Sequence, residues 1–124
     1  MHRSALGGIL IDCNTDDLGR DAKFWGEALG FDYTLNPDNP KYIELSVPRG
    51  RPDMEIQSVE HPSRVHLDIK TDDLEAEVKR LEKLGARRVE RIRRFCVMEA
   101  PSGHRFCVVP LYEDEDVGEL NTWD

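Results

Sequence analysis

The side chains of this sequence best suited to chemistry are a histidine, a thiol and a set of carboxylates. His66 and Asp68 alternate along one short segment, and Asp12 holds the place of Asp68 in a similar segment earlier in the chain. An imidazole titrates closest to neutral pH, so His66 can take or give a proton. Two carboxylates brought close together push one pKa upward and make an acid–base pair, whereas kept apart each would bind backbone or arginine groups near a strand end. Cys107 beside an imidazole would be a thiolate nucleophile; buried away from one it behaves as a small hydrophobe, the reading that also covers Cys13 and Cys96. His2, His61 and His104 fall near the terminus, in a junction and in a turn, where exposure to solvent is expected. Arg87, Arg88, Arg91, Arg93 and Arg94 form a basic island. It either grips a substrate carboxylate or phosphate or forms a solvated face balanced by the acidic run 113–116.

An internal repeat positions these groups. Ile11-Asp12 followed by Thr15-Asp16-Asp17-Leu18 returns 56 residues later as Leu67-Asp68 followed by Thr71-Asp72-Asp73-Leu74. The segments close on Leu29-Gly30 and Leu84-Gly85. Around Ile11 and Leu67 apolar and polar residues alternate, the mark of a strand with two chemically different faces. Leu18, Ala22, Trp25 and Leu29, then Leu74, Val78, Leu81 and Leu84, recur every three or four residues and predict amphipathic helices. Thr15 or Asp16, and Thr71 or Asp72, can cap their N-termini, while Gly30 and Gly85 suit their ends. Three short strand-like runs follow each helix, at 31–35, 42–47 and 54–59, then at 88–92, 95–99 and 105–109. Proline- and glycine-rich turns separate them. Each half therefore reads βαβββ. A four-stranded sheet with one helix has a single apolar face to cover, so the halves should pack into one α+β structure. Module one spans about 8–60 and module two about 64–110. The acidic segment 112–124 is expected to be a mobile tail that Trp123 can dock, and Phe24 and Trp25 are expected in the helix–sheet core.

Composition bounds the partners. The 124 residues carry 17 basic and 25 acidic side chains, a formal charge of −8. That balance opposes the phosphate attraction behind non-specific nucleic-acid binding and repels anionic lipid surfaces. Neither nucleic acid nor membrane is an expected partner. No apolar run reaches the roughly 18 residues of a membrane span. Three cysteines without CxxC spacing fit neither a disulfide framework nor a zinc knuckle, and reduced thiols suit a cytoplasmic location.

The TDDL turns, Phe24-Trp25 ahead of Ala28-Leu29-Gly30, Arg64-Val65-His66-Leu67-Asp68 and Pro101-Ser102-Gly103-His104-Arg105-Phe106-Cys107 carry a family likeness. Across about Gly8 to Pro110 the sequence resembles the vicinal oxygen chelate superfamily of glyoxalases, bleomycin-resistance proteins and extradiol dioxygenases, and within it the short glyoxalase-like domains. The resemblance implies a cup of eight strands built from two modules. It also implies a divalent metal held at four places, here Leu10, Gln57 (with Glu55 two residues away), His66 and Cys107. Leucine donates nothing and a thiolate suits softer metals, so Gln57 and His66 are the candidate ligands, and a metal-bound and a metal-free cup both stay open. By the same resemblance the cup takes a small organic molecule. His66 is the candidate catalytic residue, with Asp12, Gln57, Asp68 and Cys107 lining the pocket. The implied activity is of the lyase or isomerase kind. The alternative is non-catalytic sequestration of a cationic compound, as in bleomycin resistance. Repeated modules also make a homodimer geometrically available.

Overall fold

The computed structural model describes residues 1–124. Strand β1 (His2–Cys13) leads into helix α1 (Leu18–Leu29) and strands β2 (Tyr33–Leu35), β3 (Tyr42–Leu45) and β4 (Asp53–Ser58). The same order repeats as β5 (Arg64–Thr71), α2 (Leu74–Lys83), β6 (Arg87–Ile92), β7 (Phe95–Glu99) and β8 (Arg105–Pro110), and β9 (Asn121–Trp123) ends the chain. One mixed sheet runs β2-β3-β4-β1-β5-β8-β7-β6. β1 lies parallel to β4 as β5 lies parallel to β8, the other pairs within each module are antiparallel, and the modules join through the antiparallel pair β1–β5. The α+β double module read from the repeat is therefore the observed topology, with each half wound the same way about the central strand pair.

Local chemistry explains the boundaries. In both modules a threonine hydroxyl accepts the backbone N–H two residues on, Thr15 from Asp17 and Thr71 from Asp73, each at 3.1 Å. The aspartates so placed are the N-caps: Asp17 accepts from the Arg20 N–H and Asp73 from the Ala76 N–H. The caps thus fall one residue beyond the range expected from sequence. Gly30 ends α1 at φ 79, a left-handed conformation that costs glycine nothing.

Each helix covers one half of the same sheet face. α1 packs Ala22 against Ile11, Cys13, Ile43, Leu45 and Ile56; α2 packs Val78 and Leu81 against Cys96, Met98 and Val108. Full burial of side chains such as Ile56, Met98 and Val108 is worth roughly 1.5–3 kcal/mol each, so these two clusters hold the helices to the sheet. The opposite face is left free to line the cup.

Four expectations change. The acidic segment is not a free tail: Leu111 N–H donates to Thr71, Val117 is buried, and β9 pairs with the first residues of β1 as a ninth strand. Trp123 docks it, donating from Nε1 to Ser4 Oγ at 2.9 Å while the Arg80 guanidinium lies 3.9 Å from the ring centre. His2 is buried rather than exposed, its Nε2 2.8 Å from Glu77 Oε1. Phe24 is 61% exposed and packs edge-on to Trp25, which alone of the two lies against the core. Within the basic island Arg87 pairs with Glu99 and Arg88 with Glu75 and Glu82, all in its own module and none in the acidic run 113–116, while Arg91, Arg93 and Arg94 are exposed without an ion pair. The tail acids instead hold Lys70 through Glu115 and Arg49 through Asp116.

Candidate functional site

Alternation decides what faces the cup. On β1 the odd residues Ile11 and Cys13 enter the helix-side core, which turns Gly8, Leu10 and Asp12 to the other face. Register then aligns their neighbours: Leu10 opposite Glu55 and His66, Asp12 opposite Gln57 and Arg64, and Asp68 between Gly8 and Cys107. These side chains line a cavity of about 420 Å³. The pocket candidates read from sequence, Asp12, Gln57, His66, Asp68 and Cys107 with Leu10, line this one cavity, whereas Cys13 and Cys96 lie in the helix-side cores and the arginine island lies outside it.

His66 lies at its centre. Its Nδ1 donates to Asp12 Oδ2 at 2.6 Å, and Nε2 lies 3.7 Å from Asp68 Oδ1. Asp12 is 2% exposed and its Oδ1 has no hydrogen-bond partner. Of the two arrangements open for Asp12 and Asp68, a direct pair or two separate carboxylates, the structure has neither in pure form, for the imidazole stands between them and contacts both. Burial of the ring works against its charge, but the hydrogen bond and charge of Asp12 outweigh this and raise the His66 pKa. Asp68 is shifted upward too: burial dominates, and the opposing pull of His66 and Lys70 does not cancel it. The pair is an orienting carboxylate and an imidazole fixed in one tautomer, with Nε2 facing Asp68, another residue of the cavity lining, the arrangement that makes histidine an effective proton carrier.

Cys107 is no activated nucleophile. Burial and the nearby Asp68 and Asp12 charges push its thiol up to about 12, leaving a neutral S–H at physiological pH. Glu55 is the group the sequence pointed to only indirectly. Burial, then the charges of Glu44, Asp68 and Asp53, push it up to about 7. Tyr42, raised by burial and the Glu55 charge, accepts a hydrogen bond from the Gln57 amide at 2.9 Å. His61, expected in solvent, borders the cup with Nε2 3.9 Å from Asp12. Ile92, Phe95, Val97, Phe106 and Val109 make the module-two wall apolar. Tyr42, Phe95 and Phe106 were missed because nothing local tells an aromatic on a cup face from one in a core.

The divalent metal implied by the family likeness does not fit the four matched places. Leu10 offers no donor atom and Cys107 a thiol suited to softer ions, which leaves Gln57, whose amide N–H donates to Tyr42, and His66, whose Nδ1 donates to Asp12, as the matched donors for a hard ion, too few for its usual set. His66, Asp68 and Cys107 do approach within 4.8 Å of one another. That set of one imidazole, one carboxylate and one thiol lies outside the four matched places, of which only His66 and Cys107 belong to it, and its mixed hard and soft donors do not make the oxygen-rich site that a hard divalent ion takes.

Comparison with known proteins agrees with the fold. The family model of the glyoxalase-like domain matches residues 8–109. Methylmalonyl-CoA epimerase from Mycobacterium tuberculosis superposes with a TM-score of 0.61 at 18% identity, covering 86% of this chain and 87% of the epimerase. A hypothetical protein from Bacillus halodurans gives 0.64 at 10% identity over 91% and 98%. The 2,2',3-trihydroxybiphenyl 1,2-dioxygenase of Sphingomonas wittichii gives 0.63 at 15%, covering 89% of this chain and 41% of the enzyme. No curated protein matches the sequence. At these identities the likeness concerns the fold.

Proposed function

From the premise that this chain belongs to the glyoxalase-like domain family, we propose that its cup binds a small organic molecule and moves a proton on it, as a lyase or isomerase does. The observation that carries the reading is the 2.6 Å contact between His66 Nδ1 and the buried Asp12 carboxylate, beneath a cavity of about 420 Å³. Asp12 fixes the tautomer and steadies the imidazolium. His66 Nε2 then gives the proton to, or takes it from, the bound molecule. Gln57, braced by Tyr42, orients a substrate oxygen, and Cys107 lines the floor as an apolar thiol. No step is routed through a metal. Structural relatives named for a CoA-ester epimerase and for a dioxygenase support small-molecule chemistry in this fold but do not choose the substrate.

Two further readings accompany it. A cytoplasmic location suits three free thiols. A homodimer is supported by Leu6, Val65 and Leu67, exposed on the helix-side face of the central strands, and a monomer mass at micromolar concentration would contradict it.

The catalytic reading is tested by incubating the protein in D₂O with a panel of small carbonyl compounds and following carbon-bound deuterium by NMR. Exchange on at least one compound, abolished in His66→Gln while binding persists, is the expected result. Exchange unchanged in His66→Gln would refute the role of His66. Compounds that bind without exchange in the wild type would leave a sequestering cup instead of an enzyme.

A further inference from the structure

We infer that the outer face of module one carries a second binding site, a groove that takes a small neutral aromatic ring bearing an N–H, of the indole kind, with that N–H donated to Asp21. The groove lies on the helix side of the sheet, away from the cup, and the inference does not rest on the proposed function of the cup.

The two modules are built alike, so their outer grooves should differ only where their chains do. Asp17 caps α1 as Asp73 caps α2, which gives Asp21 and Glu77 the same place, four residues beyond the cap. The neighbouring strands differ in length. β1 begins at His2, ten residues before Asp12, whereas β5 begins at Arg64, four residues before the equivalent Asp68. The extra length of β1 brings His2 and Ser4 to module two, where His2 Nε2 lies 2.8 Å from Glu77 Oε1 and Ser4 Oγ accepts the Trp123 indole N–H at 2.9 Å. Arg80 bonds Glu77 and lies over the Trp123 ring. An imidazole and an indole of the chain itself thus occupy the outer side of module two.

Module one has no such filling. Ser63, Arg64 and Val65 border an open groove of about 370 Å³, within the size range of small-molecule sites. Ile11, Trp25 and Val65 give it apolar surface, and Asp21 stands in its wall. Asp21 Oδ1 lies 3.6 Å from Arg20 Nε, but Oδ2 is buried without a hydrogen-bond partner. An unpaired buried acceptor is costly, so a donor entering the groove gains more than the burial of its ring. Arg20 and Arg64 both line the groove and oppose a cation, while an anion would bring Asp21 Oδ2 another acceptor. A neutral N–H satisfies both conditions. Arg64 is exposed and can lie on such a ring as Arg80 lies on Trp123.

Indole and benzofuran have the same shape with and without the N–H. Each is titrated into full-length protein while the methyl signals of Ile11 and Val65 and the Trp25 indole N–H are followed by NMR. Indole is expected to move these signals and to bind about tenfold more tightly than benzofuran, the worth of one hydrogen bond to a carboxylate. Asp21→Ala should bring indole down to the affinity of benzofuran; alanine suits a helix, and thermal melting checks the fold. Val65→Trp, at a side chain 56% exposed, should block both compounds. The inference falls if benzofuran binds as tightly as indole, or if either variant leaves the indole preference intact. It falls if indole moves the cup methyls of Val97 and Val109 and not those of the groove. It falls as well if neither compound binds, whether the groove stays empty or a second copy of the chain covers it.

Discussion

Glu77 is fully buried on α2, yet it is an ionised carboxylate. Burial alone would raise its pKa, but Arg80, bonded through Nε at 2.7 Å and Nη2 at 2.9 Å, together with Ser4 and His2, holds it at about 2 against an ordinary 4.5. A carboxylate depressed by about 2.5 units contributes about 3 kcal/mol, at 1.36 kcal/mol per unit. The folded-state pKa lies below the unfolded one. That stability is therefore complete above pH 4.5 and drains away as pH falls from 4.5 to about 2. Glu77→Gln keeps the shape and removes the charge. Urea unfolding at pH 7 should show the variant about 3 kcal/mol less stable, a large share of the 5–15 kcal/mol typical of a domain, with the two proteins converging near pH 2. Because Arg80 also covers Trp123, the variant should loosen β9 and change tryptophan fluorescence before global unfolding. A loss below 1 kcal/mol at pH 7, or a difference that ignores pH, would refute the reasoning.

Further predictions concern Cys107 in the cup and Lys70 on β5. Cys107, with its thiol near 12, should resist alkylation at pH 8 in the folded protein and react on unfolding; rapid labelling of native Cys107 in a mass spectrum would contradict its description as a neutral thiol. Gly7 lies under the stem of Lys70, where an added Cβ would come 2.2 Å from Lys70 Cγ. Gly7→Ala must displace that lysine from Asp53 and Glu115 and should cost about 1–3 kcal/mol by denaturant unfolding. A loss within 0.5 kcal/mol would show that Lys70 is not held there.

Much of this fold is legible because the same unit is written twice. The recurrence of Thr-Asp-Asp-Leu after an alternating run fixes a strand, a cap and a helix in each half, and the strand at 95–99 appears with the bounds expected. Alternation also puts Asp12, His66 and Asp68 on the face opposite the helices, so the candidate site follows from period-two geometry. What the sequence conceals is long-range pairing. Nothing near His2 announces Glu77, 75 residues away, and nothing in the acidic run shows that Glu115 will meet Lys70. The basic island misleads for the same reason: its partners Glu75, Glu82 and Glu99 are scattered along the chain and meet only when α2 and the strands pack. Glu55 passes for an ordinary strand residue until three other carboxylates gather round it.

The partnership of His66 with Asp12 is the claim on which the chemistry depends, and the titration of the His66 ring followed by NMR measures it directly. A buried imidazole without its carboxylate would titrate below the ordinary 6.5; held by Asp12, it should titrate above that value, and Asp12→Asn should bring it back down. A wild-type midpoint at or below 6.5, or one that Asp12→Asn leaves unmoved, would contradict the account.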